Sequence, residues 1–200
     1  MIKFLTKSLV LSGVIARQIK TTDPHQLEKI KDRLKDRLGI PVGWHMSGSP
    51  LLASMILTIV SFALAQPWLW LAVFNGFGLP QHAVMAAIVP VSLIYSLLIV
   101  LAMYFVARGS YSALKIFLVL LAFSGLVSII NFIAVFLPVI FDGGQKTGFI
   151  VSAILSLLFI ITSIRCINSR TFYRSNALFL HNRVWRKQLV IQRQSLRGSS

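Results

Sequence analysis

The chain has 200 residues, of which 56% are hydrophobic and only 12% are charged. Soluble domains carry about 25% charged residues, so this composition excludes most water-soluble folds. Lys and Arg number 20 and Asp and Glu number 5, which gives a net charge of +15. The single cysteine, Cys166, excludes an internal disulfide and a cysteine-based zinc site.

The first region, residues 1–50, predicts two amphipathic helices. Residues 2–19 are apolar with interspersed basic residues, which is typical of a helix in the lipid headgroup layer. A second helix is expected to begin with Asp23 as N-cap and Pro24 as its first residue, and to end before a C-cap at Gly39. Its apolar stripe consists of Leu27, Ile30, Leu34 and Leu38. This stripe faces the membrane or the protein's own bundle, or alternatively docks a partner.

Four uncharged apolar segments follow and predict membrane-spanning helices. They cover residues 51–74, 83–107, 116–141 and 147–164. A helix rises about 1.5 Å per residue and the hydrocarbon core is about 30 Å thick, so three segments span it with room for tilt and the fourth with little margin. Because the backbone must satisfy its own hydrogen bonds in lipid, these segments are expected to be helical.

The distribution of basic residues predicts the orientation. Residues 1–50 hold nine Lys and Arg residues and residues 165–200 hold eight, whereas the connection 75–82 holds none. With both ends in the cytoplasm, 19 of the 20 basic residues lie on the cytoplasmic side. The positive-inside rule therefore favours an N-in/C-in protein, and we expect it in the bacterial inner membrane. Topology explains the positive charge, so a nucleic-acid partner is not expected.

Small and polar residues recur at helical spacing inside the spans. Lipid gives no hydrophobic drive for helix association, so such residues allow close packing and hydrogen bonds. The candidate residues for helix packing or a partner interface are Ser124, Ser128, Asn131, Gly148, Ser152 and Ser156. We expect these faces to turn inward in a compact bundle; alternatively, the stripe Gly148, Ser152 and Ser156 contacts another protein.

Two amides within the spans invite different interpretations. Asn131 needs a partner in lipid, which is either an interhelical hydrogen bond or a pore or substrate contact. Gln66 lies nearer the end of its segment and is expected to reach water.

The region 165–200 predicts a basic amphipathic helix followed by a disordered end after Ser195. One helical face carries Tyr173, Ala177, Leu180, Val184 and Ile191. This helix is expected to lie on anionic lipid, which attracts each nearby Lys or Arg by about 1 kcal/mol. The candidate residues for membrane-surface or partner binding are Arg170, Arg174, Arg183, Trp185, Arg186 and Lys187.

Together these elements predict an all-α integral membrane protein, a four-transmembrane-helix bundle (51–164) with cytoplasmic amphipathic helices at both ends (1–50 and 165–200). Coupled transporters generally use ionisable groups within the membrane, and all four segments lack them. No catalytic or metal-binding motif occurs, so neither enzymatic activity nor a cofactor is expected.

The leading functional hypothesis is a non-catalytic subunit, accessory protein or scaffold of a larger membrane complex. Its expected partners are anionic lipid and either another membrane protein or further copies of the chain. The alternatives are a small oligomeric channel or passive transporter, and a membrane-disrupting or defence-type effector.

Overall fold

A computed structural model describes residues 2–20, 23–38, 48–142 and 147–198. The helices are α1 (Lys3–Gln18), α2 (Pro24–Leu38), α3 (Ser49–Gly76), α4 (Val84–Ala107), α5 (Tyr111–Asp142), α6 (Thr147–Ile167) and α7 (Arg170–Gly198). A short 3-10 helix, Gln81–Ala83, precedes α4. These described ranges contain no strand, and the all-α fold class is confirmed.

Helices α3 to α6 are long and apolar enough to cross a membrane, as a four-helix membrane bundle requires. Their bounds follow the predicted segments closely, except that α5 begins five residues earlier, at Tyr111. At most 28% of each spanning window is buried within the protein. Most of the surface of these helices is therefore apolar and uncovered, which suits a lipid environment and identifies a multi-pass membrane protein.

The chain divides into two compact units. The span unit comprises Ala53–Leu101 and Phe117–Arg165, and the amphipathic unit comprises Met1–Leu52, Ala102–Ile116 and Cys166–Ser200. The two terminal regions of the sequence thus belong to one unit. Eighteen of the 20 Lys and Arg residues fall in the amphipathic unit.

Helices α1 and α2 pack against α7 around an aliphatic core. This core consists of Leu11, Ile15, Ile19, Leu27, Ile30, Leu34, Ala177, Leu180 and Val184. Leu38, Tyr173 and Ile191 are partly buried against it, so the predicted stripes of α2 and α7 are confirmed. Burying a large aliphatic side chain contributes about 1.5–3 kcal/mol. For this reason α1 and α2 cover the apolar face of α7 that was expected to lie on lipid.

The helix ends agree with the sequence only in part. The Asp23 Oδ1 accepts a hydrogen bond of 3.0 Å from the backbone N–H of His25, which confirms the predicted N-cap. The expected C-cap Gly39 lies outside the described residues. The disordered end predicted after Ser195 is wrong as far as Gly198, where α7 ends, because the intervening residues allow the helical hydrogen bonds to continue.

Candidate functional site

Asn168, just before α7, and Lys187, within α7, bind the two ends of α1. The Asn168 Oδ1, just before α7, accepts hydrogen bonds from the backbone N–H groups of Phe4 (3.1 Å) and Leu5 (3.2 Å). These are first-turn donors that have no partner within their own helix. The Lys187 ammonium donates to the carbonyl oxygen of Ile19, immediately beyond α1. Helix α1 therefore runs parallel to α7, with a cation at its C-terminal end.

A buried amide crosses the same interface midway. The Asn176 Nδ2 donates to the carbonyl oxygen of Ser8 (3.2 Å) and to the hydroxyl of Ser12 (2.9 Å). Asn176 is 2% exposed, so these bonds offset the cost of burying its polar atoms. One polar bridge within an aliphatic interface favours a single register of α1 on α7.

Two further cations of α7 bind the carboxyl end of α4. Arg183 donates to the carbonyl oxygen of Gly109 (2.8 Å), and Arg186 donates to that of Arg108 (3.0 Å). Carbonyls at a helix C-terminus lack intrahelical partners and attract cations. Arg183, Arg186 and Lys187, which the sequence suggests for a membrane surface or a partner, are therefore engaged with backbone carbonyls of their own unit.

The turn after α4 packs tightly against α7. Gly109 has a φ of +78°, and a Cβ at this position would lie 2.7 Å from the carbonyl oxygen of Phe179. Only glycine combines a left-handed conformation with such a close backbone approach. The turn that Arg183 and Arg186 bind is thus positioned by a residue without a side chain.

The other predicted surface residues of α7 lie on its outer side. Arg170 and Trp185 are exposed, and Arg174 is half-buried. Trp185 lines a groove of about 200 Å³ between α2 and α7, which we call the Trp185 groove. Glu28 and Lys31 line it as well, and their charged groups lie 3.4 Å apart.

A second groove, the α1 groove, has a cavity volume of about 360 Å³ and is lined by residues of α1, α2 and α7. Its lining includes Lys7, Val10, Val14, Arg37 and Tyr173. The Arg37 guanidinium donates to the hydroxyl oxygen of Tyr173 at 3.1 Å. Cationic and apolar side chains therefore share one concave surface.

In the span unit, buried hydroxyls join α3 to α6. Ser61 and Ser156 exchange hydrogen bonds, because each hydroxyl donates to the carbonyl oxygen of the other residue, at 2.8 and 2.9 Å. Toward the start of α3 and the end of α6, the Ser163 hydroxyl donates to the carbonyl oxygen of Ser54 at 3.0 Å. The Thr58 hydroxyl lies 2.8 Å from that of Ser163. All five side chains are fully buried.

Two serines of α5 extend this arrangement. The Ser128 hydroxyl lies 2.7 Å from that of Ser156. The Ser124 hydroxyl lies 2.8 Å from the phenol oxygen of Tyr95 on α4, and this phenol donates to the carbonyl oxygen of Leu120. We call the seven hydroxyl residues the serine cluster: Ser54, Thr58, Ser61, Ser124, Ser128, Ser156 and Ser163. Small side chains of this kind let helices approach closely in lipid.

The expectation that Gln66 reaches water is wrong. Its side chain is only 3% exposed. The Gln66 Nε2 donates to the Ser92 hydroxyl at 2.8 Å, and its Oε1 accepts a hydrogen bond from the Trp70 indole at 3.3 Å. Depth along a helix does not determine exposure when a neighbouring helix supplies polar partners.

The remaining candidate residues of the spans lie in different environments. Asn131 is fully buried, and neither atom of its amide has a hydrogen-bond partner in the described part of the chain. Gly148 is exposed, and Ser152 is half-buried and donates to a carbonyl of its own helix. Because Ser156 lies inside the serine cluster, Gly148, Ser152 and Ser156 do not form one outward-facing stripe.

The described residues contain no group of three or more His, Cys, Asp or Glu side chains that could hold a metal ion. Comparisons of the chain with family models, curated proteins and solved structures give no match. The functional argument therefore rests on the geometry of the two units.

Sequence reasoning missed three polar anchors, namely Asn168, Asn176 and Tyr95. Asn176 carried a usable signal, because it follows Tyr173 by three residues and so interrupts the apolar face of α7. Asn168 and Tyr95 carried none, since their partners lie in distant helices whose neighbours periodicity does not reveal.

Proposed function

We propose that the chain is a non-catalytic scaffold or accessory subunit of the bacterial inner membrane, with both termini in the cytoplasm. The span unit anchors it in the bilayer. The amphipathic unit holds a protein partner at the cytoplasmic surface.

The observation that carries this proposal is the folded core of the amphipathic unit. Helices α1, α2 and α7 bury their aliphatic stripes against one another, so their polar faces form a fixed surface. Loose amphipathic helices instead bury their apolar faces in the headgroup layer. A fixed surface attached to a membrane anchor is the arrangement that a scaffold needs.

Trp185 marks the face that we assign to the partner. Its side chain is 51% exposed beside the Trp185 groove. Tryptophan is enriched among residues that dominate binding at protein interfaces. The excess of basic residues in this unit favours a partner with an acidic surface, because complementary charges speed and orient association.

Purification from native membranes in mild detergent tests the partner proposal. We expect a protein to co-purify in stoichiometric amount, and Trp185→Ala to weaken its binding at least about 30-fold, which is typical of a dominant interface residue. Val190→Ala is the matched control, because Val190 lies on the same helix and is 53% exposed. A lone monomer, or equal retention of the partner by both variants, contradicts the proposal.

Reporter fusions test the proposed orientation separately. A reporter joined after Gln81, between α3 and α4, is expected to read as periplasmic, and one joined at the end of α7 as cytoplasmic. The opposite readings contradict the N-in/C-in arrangement without affecting the fold.

An oligomeric channel or passive transporter is the second candidate, favoured by one observation. The Asn131 amide is buried among the spans without a partner in the described residues, and such a group is costly in lipid. Flux of small solutes into liposomes that contain the purified chain, reduced by Asn131→Leu, is the expected result for a channel. Flux equal to that of empty liposomes removes this candidate.

A further inference from the structure

We propose that the α1 groove binds one anionic phospholipid, whose phosphate lies against the cationic side chains and whose acyl chain follows the valines of α1. This inference rests on the membrane-surface role proposed for the amphipathic unit. It requires no protein partner, so the two proposals can fail independently.

The polar part of the groove is a set of hydrogen-bond donors. The Arg37 guanidinium uses one N–H to donate to the Tyr173 oxygen, and a guanidinium has five N–H donors. The phenol hydrogen of Tyr173 remains available for a further acceptor. Lys7 lines the same groove and has no hydrogen-bond or ion-pair partner within the described ranges.

Charge selects the class of ligand. Ammonium and guanidinium groups carry donors but no acceptors, so the ligand must present acceptor atoms to Lys7 and Arg37. None of the described residues that line the groove is acidic, and charge-assisted hydrogen bonds to phosphate are stronger than neutral ones. An anionic phosphate diester fits these side chains, whereas a ligand with its own ammonium group is repelled by them.

The apolar part of the groove requires more than a phosphate. Val10 is 61% exposed and Val14 is 45% exposed on the outer side of α1, one turn apart and next to the buried Leu11. An acyl chain on these residues removes apolar surface from water. The cavity volume of about 360 Å³ lies within the range of ordinary ligand sites. A phospholipid supplies both the phosphate and the chain, and it is abundant at a membrane.

The Trp185 groove does not share this chemistry. Its volume is about 200 Å³, and Glu28 contributes a carboxylate to its lining. Lys31 also lines this groove, but its ammonium is paired with that carboxylate at 3.4 Å. The Trp185 groove therefore offers phosphate less net positive charge than the α1 groove does.

Titration of the purified full chain in uncharged detergent tests the lipid site, with native mass spectrometry as the readout. We expect phosphatidylglycerol to occupy one site and phosphatidylcholine with the same acyl chains to bind at least about tenfold more weakly. Lys7→Gln combined with Arg37→Gln is expected to weaken phosphatidylglycerol binding about 25-fold, or about fivefold for each cation removed. Tyr173→Phe removes the phenol donor together with the oxygen that accepts from Arg37, and is expected to cost about threefold to tenfold.

A matched pair of substitutions separates site binding from general charge attraction. Lys20→Gln combined with Lys35→Gln also removes two cations, one near the end of α1 and one on α2, and both lie outside the α1 groove. We expect this variant to bind phosphatidylglycerol like the wild-type chain. Equal losses in the two double variants, or equal affinity for the two lipids, overturn the proposal.

Glycerol phosphate tests the acyl part of the site. It carries the phosphate without the chain, and we expect no competition with phosphatidylglycerol at equal concentration. Effective competition shows that the groove binds phosphate alone and overturns the assignment to lipid. Circular dichroism of every variant verifies that the helices are intact.

Discussion

The two units of this chain differ in the side chains that predominate where their helices meet. The core of the amphipathic unit is aliphatic, whereas the helices of the span unit meet at the serine cluster. The difference follows the solvent, because burying apolar surface is favourable in water but gains nothing in lipid, where close packing and hydrogen bonds remain. Most leucines are thus covered in the amphipathic unit and uncovered in the span unit, with Leu121 a buried exception, whereas serines are buried in both units, as Ser12 and Ser156 show.

The largest effect expected from this comparison is at a leucine of the amphipathic unit. Leu180 is fully buried in the core shared by α1, α2 and α7. Leu180→Ala is expected to lower the free energy of unfolding by about 2–5 kcal/mol. Leu97 of α4 is 63% exposed, so Leu97→Ala is expected to change the free energy of unfolding by less than about 0.5 kcal/mol. Thermal and denaturant unfolding in detergent measure the free energy of unfolding of both variants. Equal losses of stability would contradict the proposed difference between the two units.

The second effect concerns backbone contact rather than core volume. Gly109 and Gly78 both have positive φ, +78° and +65°. A Cβ on Gly78 meets nothing within 4 Å, whereas one on Gly109 meets the Phe179 carbonyl. Gly78→Ala is expected to cost about 1 kcal/mol for conformation alone, and Gly109→Ala at least about 2 kcal/mol, because displacing α7 adds to that cost. Similar unfolding midpoints for both variants would show that α7 can shift away from residue 109 at little cost in stability.

A smaller effect is expected within the serine cluster. Ser156→Ala removes one of the two reciprocal bonds between α3 and α6 and also the contact with the Ser128 hydroxyl. For each hydrogen bond lost, the expected cost is about 0.6 kcal/mol and at most about 1.7 kcal/mol. Thr162→Ala is the control, because Thr162 is exposed and bonds only its own helix. A double-mutant cycle with Ser61→Ala measures the coupling of the pair. A loss of stability as large as that of Leu180→Ala would mean that buried hydrogen bonds stabilise the span unit as strongly as aliphatic packing stabilises the amphipathic unit.

The smallest effect has the opposite sign. Asn131→Leu keeps the branching and the number of side-chain heavy atoms, and it removes an amide that has no partner in the described residues. Since an unsatisfied buried polar group is unfavourable, the variant is expected to be neutral or more stable by up to about 1 kcal/mol. Unfolding of the purified variant with increasing SDS, followed by the fraction that remains folded, measures this change in stability. A clear destabilisation would reveal that Asn131 binds a water molecule, an ion or a partner.

Local features of the sequence predicted much of the fold. Hydropathy located the four spans, and the N-cap at Asp23 followed from residue types that favour the start of a helix. Helical spacing also placed Leu27 and Leu180 on the buried faces of their helices. Each of these features depends only on residues within a single helix or directly beside its end.

The pairing of α1 and α2 with α7 could not be predicted in this way. Periodicity shows which face of a helix is apolar, but it does not show what covers that face, and α1 and α7 are separated by about 150 residues. The same reason explains Arg183 and Lys187, which resemble ordinary surface cations. Only the tertiary structure shows that each binds the carbonyl end of another helix.

The attachment of α1 to α7 has a consequence for how the protein is made. The ribosome releases α1 and α2 before any span, while α7 emerges only after α6. Until then, α1 and α2 expose the apolar faces that later pack against α7, and exposed apolar surface promotes aggregation. The core shared by α1, α2 and α7 can therefore be completed only after all four spans have been synthesised.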